Sequence, residues 1–143
     1  MFTIEQIKAA HNNLSSGADF PVYVQNLMQI GVSGYETYSV DGHTNYFGYN
    51  EFTIEAGPMY EPLIVSDERN KAQFQLDLKA NQEGKTDFFA FCRDCAKSGV
   101  EKWIVDMADM TCTYYDKEGD PFLKETIPTP SEDKRRSLSE VKS

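Results

Sequence analysis

Basic residues are in short supply. The chain of 143 residues has 14 Lys and Arg against 23 Asp and Glu, a formal net charge of −9 and a pI near 4.6. Binding a phosphate backbone needs a basic stripe, so nucleic acid is not an expected partner, and neither is an anionic membrane surface. No apolar run approaches the roughly 18 residues that cross a bilayer. Met1–Gln6 has no basic region leading into an apolar stretch, so no signal peptide is predicted. Cysteine is scarce too. Cys92, Cys95 and Cys112 are an odd set of three and cannot make a disulfide framework. Reduced thiols in a cytoplasmic protein are the economical expectation. No Gly-rich phosphate loop follows a strand, no serine sits in an elbow motif, and no carboxylate pair stands apart among the acids. The sequence therefore predicts no catalytic residue, no cofactor and no metal.

What is present suffices for one domain. Hydrophobic residues make up 40% and aromatics 13%, enough for a core. From Thr129 onward the composition changes, with two aliphatic residues and no aromatic up to Ser143. Residues 129–143 are expected to be a disordered tail, and residues 1–128 a single α+β domain.

Periodicity predicts four helices. The first follows Thr3 as a cap, with Ile4, Ile7, His11 and Leu14 on one face. The second follows Asp19 and stops at Gly31, with Phe20, Tyr23, Val24, Leu27 and Ile30 as its stripe. The third is expected from Ser66-Asp67 to Gln82, and the fourth from Thr86 to Gly99. Strands are predicted at Tyr35–Val40 and His43–Tyr49 around a two-residue Asp41-Gly42 turn, then at Phe52–Ala56 and Tyr60–Val65. Further strands are expected at Glu101–Met107, Thr111–Tyr115 and Phe122–Ile127.

Laid over itself at an offset of 68, the chain shows six identities in the 29 positions from 19 to 47. They include Asp19-Phe20 with Asp87-Phe88, Gly31-Val32 with Gly99-Val100, and Tyr46 with Tyr114; Tyr35 exchanges with Trp103. Helix cap, helix stop and strand aromatics coincide without a gap. The implied architecture is one antiparallel sheet with helices packed on one face, built from two ααββ pseudo-repeats at about 3–65 and 66–128. The offset also places Cys92 and Cys95 on Val24 and Leu27, both core-stripe positions, so the CxxC pair is expected to be inert and buried.

Several runs are specific enough to carry a resemblance. Gly17-Ala18-Asp19-Phe20-Pro21, Gly31-Val32-Ser33-Gly34-Tyr35-Glu36, Gly99-Val100-Glu101-Lys102-Trp103 and Met110-Thr111-Cys112-Thr113-Tyr114-Tyr115-Asp116 are among them. Over roughly residues 2–128 the chain resembles the YbcV-like domain-of-unknown-function family of bacteria and prophages, whose members are often labelled phage envelope protein. The resemblance implies a small α+β domain with no established activity, cofactor or catalytic residue.

Candidate binding residues follow from the predicted hairpin. A two-residue turn sets Val40 opposite His43, Tyr38 opposite Asn45, and Glu36 opposite Phe47. With Tyr35, Thr37, Ser39, Thr44 and Tyr46 turned to the helices, the other side exposes Tyr38, His43, Asn45 and Phe47 as a possible binding face. Asp41 is expected to point away within the turn. The first functional expectation is a non-enzymatic binding or assembly domain that takes a protein partner, or a second copy, on this face. The alternative is a small-ligand binder or enzyme with a cleft near the pseudo-two-fold axis, using His11 or His43 with nearby acids. A third has the acidic body mimic nucleic acid toward a basic partner.

Overall fold

The computed structural model describes residues 2–12 and 19–129. Leu14 lies outside the described residues, as does all of the expected tail beyond Thr129. The first helix, α1 (Ile4–His11), starts at a capping box in which Thr3 and Gln6 bond each other's backbone N–H. Next comes α2 (Phe20–Gln29), with proline in its first turn; Gly31, at φ +100°, ends it in a conformation that costs other residues strain. A meander of β1 (Val32–Tyr38), β2 (Thr44–Gly48) and β3 (Thr53–Ala56) follows. The pattern then recurs as α3 (Lys71–Gln82), α4 (Phe88–Lys97), β4 (Lys102–Asp106), β5 (Thr111–Tyr115) and β6 (Pro121–Thr126).

The six strands form one antiparallel sheet in the order β3-β2-β1-β4-β5-β6. Each half contributes three strands, not two, and the first strands of the halves meet at the centre. Registers in the two halves correspond. Moved 68 positions along the chain, the Tyr35–Tyr46 pair of β1·β2 falls on the Trp103–Tyr114 pair of β4·β5, and Thr37–Thr44 falls on Val105–Cys112. At the seam Glu36 pairs with Ile104, its own counterpart at that offset. A register irregularity between Val32 and Gly34 lets both Val32 and Tyr35 face inward. Only glycine fits at 34, since a Cβ there would lie 2.8 Å from the Val105 carbonyl oxygen. The helices pack Ile7, Tyr23, Leu27, Phe74 and Phe91 against Tyr35, Trp103, Val105 and Tyr114 of the sheet.

Three expectations need correction. The hairpin loop is longer than two residues: Tyr38 N–H donates to the His43 carbonyl, and Gly42 N–H to the Tyr38 carbonyl. Glu36 therefore pairs with Asn45, and Gly34 with Phe47. Fully buried Ser39 is drawn out of the hairpin, its N–H to the Glu101 carbonyl (2.8 Å) and its Oγ to that of Val100 (2.7 Å). The stretch 60–65 is not a strand. Pro62 lacks an N–H, and the segment instead crosses the hairpin loop, with Leu63 N–H on the Val40 carbonyl and the Tyr60 hydroxyl on that of Ser39. Finally, α3 begins at Lys71, because Ser66 Oγ accepts the Glu68 N–H in a local turn and Asn70 is the residue that caps Gln73.

Candidate functional site

Tyr38, His43, Asn45 and Phe47 share one side of the sheet and are half-buried there. The two-position shift in register leaves Tyr38, His43, Asn45 and Phe47 on the outer side of the sheet, since an even shift preserves the pleat. Tyr38 stacks on His43 with ring centroids 4.5 Å apart, and Lys102 Nζ lies 5.4 Å from the Tyr38 ring centroid. Glu36 accepts from Asn45 Nδ2 (3.0 Å), with Lys102 Nζ at 3.9 Å. These side chains largely satisfy one another. Asp41 does not point away as expected: its carboxylate accepts both the backbone N–H and Nδ1 of His43. Burial opposes ionisation of Asp41, but those bonds win and hold its carboxyl below the usual range. Among the described residues no group of three or more His, Cys, Asp or Glu side chains could hold a metal.

On the other side, between helices and sheet, lies a cavity of about 160 Å³. That compares with an engineered apolar cavity of about 150 Å³ that accepts benzene. Half of its lining comes in pairs 68 residues apart: Phe20 and Phe88, Tyr23 and Phe91, Tyr35 and Trp103, Thr44 and Cys112, Tyr46 and Tyr114. The cavity thus sits where the two halves of the domain meet. Stripe residues of α2 and α4 form its walls, and inward residues of β1, β2, β4 and β5 its floor. His11, in the last turn of α1, joins the lining edge-on to Tyr23 and Phe88. Gln82, which donates to Glu125, adds polar groups at an exposed margin.

Glu125 at the margin apart, the titratable groups that line this cavity are held neutral near pH 7. Burial lowers the pKa of His11 and raises those of Tyr23, Tyr35 and Tyr114. Burial also raises Tyr46, against hydrogen bonding with Tyr23 and Thr44. No Lys or Arg lines the cavity. Its hydroxyls are partly committed, Thr37 to Thr44 (2.9 Å) and Tyr23 to Tyr46 (3.0 Å). Tyr35 is 4% exposed, and its hydroxyl has no hydrogen-bond partner among the described residues. Every fully enclosed side-chain N or O atom among those residues has a partner, so the Tyr35 hydroxyl must open onto the cavity. Neither ring nitrogen of His11 has a hydrogen-bond partner among them.

The cysteines are buried and unpaired. Burial pushes the Cys92 and Cys112 thiols up to about 12 and raises that of Cys95 well above its ordinary value, the opposite of what a redox or nucleophilic thiol needs. Of the two histidines, His11 belongs to the cavity and His43 to the outer face, so the structure does not bring them together. Sequence reasoning assigned most of the cavity residues to packing, with His11 offered for a cleft near the pseudo-two-fold axis only in the alternative reading. The overlooked signal was the number of hydroxyls, Tyr35, Thr37, Thr44 and Tyr46, on a sheet side turned to the core.

Fold and cavity define a two-layer α+β domain with an aromatic-walled space between its layers, open at one margin. The sequence model of the DUF1398 family, described as "Protein of unknown function", matches residues 8–126. The chain belongs to that family. No curated protein matches it. No helix among the described residues is long and apolar enough to cross a membrane.

Proposed function

We propose that this protein binds a compact neutral molecule, about one aromatic ring in size, in the cavity between its two halves. The observation that carries the reading is a cavity with no Lys or Arg and a single carboxylate, Glu125, in its lining, into which the Tyr35 hydroxyl opens without a partner among the described residues. A carboxylate ligand would lose its hydration and find no cation there, whereas a neutral ring with a hydrogen-bond acceptor loses little and gains the donor. The role is binding rather than catalysis. The thiols are held protonated, and His11 has no carboxylate bonded to it among the described residues. The same reading takes the two halves as copies of one ancestral unit, supported by the matching registers and paired lining residues. Three unpaired thiols suit a reducing compartment, so the cytoplasm is the proposed location. Nothing in the cavity's chemistry requires the phage-envelope role with which YbcV-like members are labelled.

A thermal-shift panel of neutral one-ring compounds, ring-bearing carboxylates and sugars tests this. A ligand at ten times its Kd stabilises by about 1.4 kcal/mol, or a few degrees for a domain of this size. Neutral rings should raise Tm, with the logarithm of concentration once it exceeds Kd, and the other classes should not. A panel in which no neutral ring shifts Tm at millimolar concentration refutes the reading. A second reading keeps the outer sheet face around Tyr38 and Phe47 for a protein partner or a second copy, favoured by the packing of the helices on the opposite side. Sedimentation over a hundredfold concentration range addresses the self-association form.

A further inference from the structure

The two halves of the cavity are matched in position but not in chemistry. On the β1–β2 side the lining offers the hydroxyls of Tyr23, Tyr35, Thr37, Thr44 and Tyr46. Their counterparts 68 residues on are Phe91, Trp103, Val105, Cys112 and Tyr114, with a single hydroxyl among them. At these paired positions the floor therefore runs from hydroxyl-rich to hydroxyl-poor across the central seam, the second half's remaining polar lining residues, Asn81, Gln82, Glu125 and Thr126, belonging to α3 and β6.

The hydroxyl-rich side also has donors to spare. Thr37 bonds Thr44 and Tyr23 bonds Tyr46, and each hydroxyl brings one proton. Each such pair keeps one proton with no acceptor within it. Tyr35 adds another. On the far side the Phe91 and Trp103 rings stand edge to face with centroids 5.3 Å apart, an arrangement that accepts an aromatic edge.

We infer that the ligand is itself polarised, a single-ring molecule with one oxygen acceptor at one end, bound with that oxygen toward Tyr35 and its ring toward Trp103 and Phe91. This rests on the binding reading above and narrows it. A symmetric hydrocarbon leaves the Tyr35 proton without an acceptor, and a ring with oxygens at both ends places one of them among aromatic edges.

Phenol and toluene differ by a hydroxyl in place of a methyl and serve as probes. Trp103 is the sole tryptophan, so its indole N–H gives one cross-peak in a proton–nitrogen NMR spectrum, reporting from inside the cavity. Titration of the intact protein should give phenol a Kd about tenfold lower than toluene, the size of one well-placed hydrogen bond. Tyr35→Phe keeps the ring and breaks no hydrogen bond among the described residues, and should bring the two Kd values to within about twofold. Tyr114→Phe, the same change on the hydroxyl-poor side, should leave the preference intact. If toluene binds as tightly as phenol, or Tyr114→Phe erases the preference, the orientation is wrong while binding in the cavity stands. If neither probe moves the Trp103 peak, the binding reading itself is overturned.

Discussion

Thiol chemistry offers a measurement in which the interior reports on itself. Cys92 is wholly enclosed on α4, and burial takes its thiol from an ordinary value near 9 to about 12. Three pH units mean about a thousandfold less thiolate at any pH below 9, and the thiolate is the species that attacks a disulfide reagent. Native protein with an aromatic disulfide reagent at pH 8 should therefore label at least about a thousandfold more slowly than protein in guanidinium, where three thiols react. The thiols should also differ among themselves. Cys112 borders the cavity, whereas Cys92 and Cys95 do not line it. A small uncharged reagent such as methyl methanethiosulfonate should reach Cys112 first, and phenol should slow that step alone. The same shift has a stability consequence. The fold favours the neutral thiol, so its contribution is complete below pH 9 and is lost as pH rises toward 12. For Cys92 the full loss is about 4 kcal/mol. Rapid native labelling of Cys92 or Cys95, or zinc bound at one equivalent, refutes the buried, metal-free reading.

Other perturbations have defined outcomes. Because burial lowers the His11 pKa, the unfolded chain binds the proton more readily, and stability should fall as pH drops below 6.5; His11→Gln should flatten that fall in a denaturant series. Gly99→Ala should be severe. The residue sits at φ +88°, and a Cβ there meets the Glu68 carbonyl oxygen at 2.6 Å, so a loss of about 2–3 kcal/mol by equilibrium unfolding is expected. Asn81→Ala removes the amide that bonds the Thr86 carbonyl and closes the turn between α3 and α4, and should lower stability by about 1–3 kcal/mol.

Much of the fold was legible because local chemistry and global packing agree. The apolar stripes of α2 and α4, their stops at Gly31 and Gly99, and the alternation along β4 and β5 all point one way, and the observed strands β5 (Thr111–Tyr115) and β4 (Lys102–Asp106) lie on or within their expected bounds. Misreadings fell where a distant partner decides. Asp41-Gly42 has the composition of a tight turn, but Ser39 binds carbonyls some sixty positions away in the chain, and that widens the loop. The segment 60–65 alternates like a strand, yet its hydrogen bonds go to the hairpin loop it covers. A cleft near the pseudo-two-fold axis was an alternative expectation, but the aromatic and hydroxyl lining of the cavity was hidden for a related reason. Periodicity tells which side chains point inward, while whether inward side chains touch depends on how far apart two halves hold their rings.

The sheet order also bears on the sequence of events in folding. Pairs β1·β2, β2·β3, β4·β5 and β5·β6 join strands adjacent in the chain, and only β1·β4 joins strands from different halves. The two meanders are local and should zip early, while the seam must close a loop that takes in β2, β3, α3 and α4, the slow, entropy-limited step. The cavity straddles that seam and comes into being only when it closes. A ligand held there acts on the finished molecule, slowing its unfolding while leaving the rate of folding unchanged.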